Sequence, residues 1–172
     1  MRLLVTGAAG FTGTFLAEYL SHETGVEVTG LIRKASQKDL LPHTTCIIAD
    51  LLDALHLKDA VNDICPDAII HLGGMTRGDL GDLLQANVIG TKNLLDATLM
   101  LKRSCRILVV SSSAVYGYDG NDPISEECPL KPLGEYGISK VAQESLCFMY
   151  NQVKRMQIVV ARTFNLIGPG QS

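Results

Sequence analysis

Near the end of the chain, Tyr136-Gly137-Ile138-Ser139-Lys140 places a phenol and an ammonium one helical turn apart. A free tyrosine has a pKa of about 10, and bringing it to neutrality takes roughly 4 kcal/mol of preferential stabilisation of the phenolate. A lysine four residues on contributes to that, because such side chains share a helix face about 6 Å apart along the axis. Tyr136 follows Pro132 and Gly134, which puts it near a helix start, where the dipole favours an anion. A positively charged oxidised nicotinamide adds to both effects. The phenol can then exchange a proton with a substrate hydroxyl or ketone as hydride moves to or from the cofactor. Because a lone Y-x-x-x-K also arises by chance on surface helices, the reading needs partners elsewhere in the chain.

One partner is Ser111-Ser112-Ser113, which ends the apolar run Ile107-Leu108-Val109-Val110. A hydroxyl there stands at the carboxyl edge of a sheet, where ligands of open α/β sheets bind, and can hold the reacting oxygen. By itself, a serine-rich strand end is more often a plain turn. The other partner is Gly7-Ala8-Ala9-Gly10-Phe11-Thr12-Gly13, between a strand and a helix. Its spacing is G-x-x-G-x-x-G, in the context a dinucleotide fingerprint requires. Gly7 makes the tight turn, Gly10 lets backbone N–H groups approach a pyrophosphate, and Gly13 lets the helix lie close to the sheet.

The end of the second strand reads the adenosine ribose. NAD calls for a carboxylate about 20 residues past the fingerprint. The chain has Leu31-Ile32-Arg33-Lys34 instead. An arginine can hold a 2′-phosphate with two hydrogen bonds. NADP is therefore the expected cofactor, with NAD the alternative and Ser36 a candidate helper. Solvated charges at a strand end are the other account of Arg33 and Lys34.

These residues need a scaffold, and the hydropathy pattern supplies one. Strands are expected at Leu3–Thr6, Val26–Ile32, Thr45–Ala49, Asp67–Leu72, Arg106–Ser111 and Gln157–Arg162. Helices are expected at Phe11–Leu20, Asp53–Ile64, Leu80–Leu101 and Tyr136–Val153. Continuous apolar strands alternating with amphipathic helices imply an α/β fold with a doubly wound parallel sheet, a Rossmann fold spanning residues 1–172 as one NAD(P)-binding domain. The long irregular segment from Gly117 to Glu135 is expected to wall the active site.

With 47% hydrophobic and 19% charged residues in 172, the composition is that of a globular chain. A net charge of −3 without a basic stripe argues against nucleic acid. No apolar run is long enough to span a membrane, and no signal peptide is evident. Five scattered cysteines without a C-x-x-C pair read as free thiols, and the four histidines show no metal-ligand spacing. A cytoplasmic location follows as an expectation.

Taken together, Thr6-Gly7-x-x-Gly10-x-x-Gly13, His71-Leu72-Gly73-Gly74, Asn87-Val88-x-Gly90-Thr91, Ser111-Ser112-Ser113-x-Val115-Tyr116-Gly117, Tyr136-x-x-x-Lys140 and Arg162-x-Phe164-Asn165-x-x-Gly168-Pro169-Gly170-Gln171 resemble the extended short-chain dehydrogenase/reductases. More narrowly, the chain resembles the NAD(P)-dependent nucleotide-sugar epimerase/dehydratase group. The resemblance implies Tyr136 as acid/base, Lys140 as its ribose-binding partner and Ser112 as the catalytic hydroxyl, with Ser113 its nearest rival. It places Asp50, followed by Leu51, at the adenine, Leu72 and Gly73 along the cofactor beside Phe11 and Thr12, and Asn165 toward the sugar nucleotide. Asn87 becomes a support for the active site, whereas His71 reads as a packed strand-end residue. It also implies a homodimer through Leu80–Leu101 and Tyr136–Val153.

Departures refine the expectation. Sugar dehydratases carry an acid just after the catalytic hydroxyl, where this chain has Ser113-Ala114. Arg33 disagrees with the NAD-holding epimerases. The basic second-strand end, Pro123-Ile124-Ser125-Glu126-Glu127 and the Thr163–Gln171 ending look most like the GDP-4-keto-6-deoxymannose reductases, although Ala114 stands where those often have Glu, and the segment from Gly74 to Asn87 is short for the group. Such proteins continue into a small carboxyl-terminal substrate domain, so the chain is expected to be a truncated piece. The expected activity is NADP-dependent reduction of a 4-keto-sugar nucleotide. The alternatives are a nucleotide-sugar 4-epimerase with tightly held NAD and a non-catalytic dinucleotide-binding fragment.

Overall fold

A computed structural model describes residues 1–117, 120 and 123–171. Six parallel strands form one sheet: β1 (Arg2–Thr6), β2 (Glu27–Ile32), β3 (Thr45–Ile48), β4 (Ala68–His71), β5 (Arg106–Ser112) and β6 (Gln157–Thr163), in the order β3-β2-β1-β4-β5-β6. The chain reverses direction across the sheet at β1, which pairs with β2 on one side and β4 on the other, Thr6 facing both Leu31 and His71. In a doubly wound sheet the crevice outside that reversal is where ligands bind. The tips of β1, β4 and β5 therefore frame the site.

Helices α1 (Phe11–Ser21), α2 (Ala54–Ile64), α3 (Leu80–Leu84), α4 (Gly90–Leu99) and α5 (Glu135–Lys154) cover the sheet unequally. On one face Leu4, Ile69, Ile107 and Val109 pack with Leu57, Val61, Leu94, Leu95 and Cys147 of α2, α4 and α5. On the other, Leu3, Val5 and Ile32 pack with Ala17 and Leu16 of α1. Over β5 and β6 that second face is thinly covered: Leu108 and Val110 are only partly buried and Val159 is 64% exposed.

Every expected strand and helix is present, with one change. The expected helix Leu80–Leu101 is interrupted by a π-turn at Gln85–Ile89 between α3 and α4. An inserted residue of this kind rotates the following side chains and is frequent at functional sites. The rotation carries Asn87 inward, where it is 1% exposed. The five cysteines are free.

Candidate active site

The glycine turn is shaped by its backbone. Gly7 has φ +68°, a conformation that L side chains disfavour, and a Cβ on it would stand 2.7 Å from Gly73 N. A Cβ on Gly13 would meet Ala8 O at 2.5 Å, so α1 reaches the turn only because that position is bare. Gly10 N–H donates to Gly7 O at 2.9 Å and closes the turn at the N-cap of α1. This bare cradle at a helix start fits a pyrophosphate.

Two cavities meet there, sharing Gly7, Gly10, Leu72, Gly74 and Met75. The first, of about 330 Å³, runs over the tips of β2 and β3 and is lined by Arg33, Gln37, Asp50, Leu51 and Gly73. The second, of about 700 Å³, runs over β5 and is lined by Phe11, Thr12, Gly13, Ser112, Tyr136, Lys140 and Asn165. The residues assigned from the sequence lie on one of the two, except Ser113 and Ser36, the expected helper of Arg33. Ser113 begins a short 3-10 turn, Ser113–Val115, whose backbone Ala114 N–H donates to Ser112 Oγ at 3.2 Å. Among the neighbouring hydroxyls, Ser112 is thus the one presented with Tyr136.

Lys140 is 6% exposed, its Nζ 6.0 Å from the centre of the Tyr136 ring and donating to Val110 O at 2.8 Å. Burial pushes its pKa down to about 8. The Tyr136 phenol is raised above its ordinary value by burial, while hydrogen bonding with Ser112 acts the other way. The ammonium is turned to the Val110 carbonyl, and desolvation of the phenol prevails.

Behind the cavity wall lies a buried polar chain that links residues of the quoted motifs, Asn87 in its expected supporting role and His71 at its strand end, through contacts the motifs alone do not show. Thr91 Oγ1 lies 2.5 Å from Asn87 O, a carbonyl, and must donate to it. It therefore accepts from His71 Nε2 at 2.9 Å, which leaves His71 Nδ1 to accept from Thr6 Oγ1 at 2.6 Å. Thr6 Oγ1 in turn accepts from Gly73 N at 3.2 Å. Asn87 Oδ1 accepts from Met75 N at 2.8 Å, and its Nδ2 donates to Met75 O and to Ser139 Oγ, both at 2.9 Å. Ser139 Oγ donates to Tyr136 O at 2.8 Å. The turn at β1, the wall at β4 and the start of α5 are thus fixed relative to one another. Burial lowers the His71 pKa to about 3, aided by the charge of Lys140, so the ring is a neutral strut.

A second network holds β6. Arg162 Nη2 and Nε donate to Glu144 Oε2 and Oε1 at 2.8 and 3.0 Å, Arg162 Nη1 to Tyr116 Oη at 2.8 Å and to Glu126 O at 3.1 Å, and Ser111 Oγ to Glu144 Oε1 at 2.5 Å. The described part of the Gly117–Glu135 segment does not wall the active site. Arg162 draws it aside, and Ile124 and Glu126 line a separate cavity of about 410 Å³ with Tyr116 and Phe164. Tyr118, Asp119, Asn121 and Asp122 lie outside the described residues.

A parallel sheet reversing at β1, a bare glycine turn and a Ser–Tyr–Lys set at the tip of the adjoining strands define a dinucleotide-binding fold of the short-chain dehydrogenase/reductase type. The chain belongs to the NAD dependent epimerase/dehydratase family, whose model matches residues 3–172. It is 37% identical over 179 residues to the GDP-6-deoxy-D-mannose reductase of Pseudomonas aeruginosa, with 99% of this chain and 54% of that protein aligned. Among solved structures it is similar to RMD from Pseudomonas aeruginosa complexed with NADPH (37% identity, TM-score 0.83, 99% of this chain and 56% of that one). It is also similar to Thermus thermophilus UDP-glucose 4-epimerase complexed with NAD (28% identity, TM-score 0.90, 100% and 58%). The chain spans about half the length of the curated relatives it matches.

Proposed function

We propose that the protein is an NADP-dependent oxidoreductase that reduces the ketone of a 4-keto-sugar nucleotide. The observation that carries the proposal is the meeting of Ser112, Tyr136, Lys140 and Asn165 with the glycine turn in one cavity. When bound, the nicotinamide supplies the hydride. Tyr136 gives its proton to the ketone oxygen, and Ser112 holds that oxygen by a hydrogen bond. Burial keeps the phenol protonated near neutrality, which is the state a reduction needs. Lys140, anchored by Val110 O, presents its remaining N–H groups toward the nicotinamide ribose. Asn165 contacts the sugar nucleotide. Arg33, at the rim of the first cavity, is the ground for NADP, and the similarity to the Pseudomonas reductase is the ground for a deoxysugar substrate.

Oxidation of NADPH with GDP-4-keto-6-deoxymannose tests this directly. Tyr136→Phe should slow turnover by about two to four orders of magnitude and change NADPH affinity by less than about twofold. An unchanged rate overturns the mechanism. The second reading, a nucleotide-sugar 4-epimerase holding NAD, draws on the NAD-bound epimerase neighbours. It predicts that stoichiometric NAD is released when the purified protein is denatured. We take the protein to be cytoplasmic and homodimeric, α5 offering Ile138, Phe148 and Val153 on its exposed side.

A further inference from the structure

We infer that Gln37 sets the nucleotide preference of the first cavity, by removing the acceptor that a free ribose 2′-hydroxyl needs and adding a donor for a 2′-phosphate. The inference rests on the proposed reading that a nicotinamide dinucleotide lies along the strand tips, and deepens it at one subsite.

The two forms of the ribose ask for opposite chemistry. A 2′-hydroxyl must place its hydrogen on an acceptor, whereas a phosphate monoester is anionic and accepts only. Strand β2 ends at Ile32, and a 3-10 turn, Ala35–Leu40, follows at once. Gln37 N–H donates to Lys34 O at 3.0 Å, and the Gln37 side chain folds back over the strand end. Its Oε1 accepts from Arg33 N at 2.9 Å and from Lys34 N at 3.0 Å. An amide oxygen has two lone pairs, and both are taken.

That pairing also fixes which way the amide points. Reversed, its NH2 would stand against two N–H donors with no acceptor between them. Nε2 therefore faces away from the backbone, and its hydrogens find no partner among the described residues. The Arg33 guanidinium finds none there either. Arg33 and Gln37 both line the 330 Å³ cavity. The end of β2 thus offers the cavity donors: a planar guanidinium and a carboxamide NH2 held by its own oxygen. The two carboxylates lining the cavity, Asp50 and Asp82, belong to the segment after β3 and to α3, and Asp50 Oδ1 is engaged by Leu52 N at 2.9 Å. A sequence search for a basic residue after β2 finds Arg33 and passes over Gln37, because its contribution depends on the turn that folds it back.

The test titrates the wild-type protein, Gln37→Glu and Gln37→Leu with NADPH, NADH, 2′,5′-ADP and ADP, following binding by calorimetry. Gln37→Glu keeps an acceptor for both backbone N–H groups, so the turn persists, and exchanges the NH2 for an anionic oxygen. The wild type should favour NADPH over NADH by about tenfold or more, the effect of one to two charge-assisted hydrogen bonds. Gln37→Glu should erase or reverse that ratio, with the same change between 2′,5′-ADP and ADP. Gln37→Leu should weaken NADPH by about five- to tenfold and leave NADH within about twofold. If the wild type favours NADPH and Gln37→Glu leaves the ratio unchanged, the role of Gln37 falls while the NADP reading stands. If the wild type binds neither nucleotide, or favours NADH, both fall.

Discussion

Lys140 stands in the wall of the cavity over β5 in a position that water would contest, and its cost is measurable. Its folded pKa of about 8 lies below the ordinary value of 10.5. Between those values the unfolded chain binds more protons, so stability rises with pH across that window. Below pH 8 the full cost of the buried ammonium is present, about 3 kcal/mol. Urea unfolding of the wild type and Lys140→Met should show the gap between them shifting in favour of the wild type by roughly that amount from pH 7 to pH 10.5. Parallel pH profiles would remove the argument. His71 shifts in the same direction at lower pH, to about 3 from 6.5. Here too the unfolded state takes up the proton first, so stability is lost as pH falls below 6.5, by about 2 kcal/mol at pH 5. A His71→Phe variant, whatever its offset, should lack that slope. Glu144 contributes through pairing instead: its side chain is 10% exposed and bonded to Arg162, so Glu144→Ala leaves the charge of a mostly buried guanidinium without its counter-ion. That should cost about 3–5 kcal/mol in chemical denaturation.

At the scale of elements, the π-turn is where the helix between β4 and β5 gives up regularity to aim a side chain. Asn87 closes both backbone groups of Met75 and reaches Ser139 on α5. Asn87→Ala should destabilise the fold by about 2–4 kcal/mol, because it leaves a buried N–H and C=O without partners. It should also weaken dinucleotide binding, since Met75 lines both cavities. Calorimetric melting and titration with NADPH check the two effects. The strands were legible in the sequence because parallel strands covered by helices read as apolar runs, as Ile107–Val110 does. The glycine turn was legible because its spacing follows from backbone contact. The π-turn was not: its helix keeps an apolar stripe on either side, with Leu83 before and Leu94 after, and one added residue leaves no mark in composition. Nor was the path of the Gly117–Glu135 segment, which depends on Arg162, a residue that in sequence is one charge at the end of a strand. Nor does spacing, which brings Lys140 near Tyr136, show that one N–H of its ammonium is held by Val110 O.

For the whole molecule, strand order and unequal helix cover set where the structure opens. β1, β4 and β5 lie inside the sheet, whereas β3 and β6 are its edges. Hydrogen exchange should therefore be slowest in Leu4, Ile69 and Val109, and fastest in β3 and in β6, whose Val159 is largely exposed. Uniform protection across the six strands would contradict this. The thinly covered face over β5 and β6, with Val159 largely exposed on it, should bind an apolar dye at neutral pH. Each strand after the first pairs with one that precedes it in the chain: β2 with β1, β3 with β2, then β4 with the other edge of β1, and β5 and β6 outward from there. Of these pairings that of β4 with β1 closes the longest loop, setting Ala68 against Leu3. The same pairing sets Gly73 against Gly7. The glycine cradle is thus not a property of its own loop alone; it shares its existence with the seam at which the two halves of the sheet are joined.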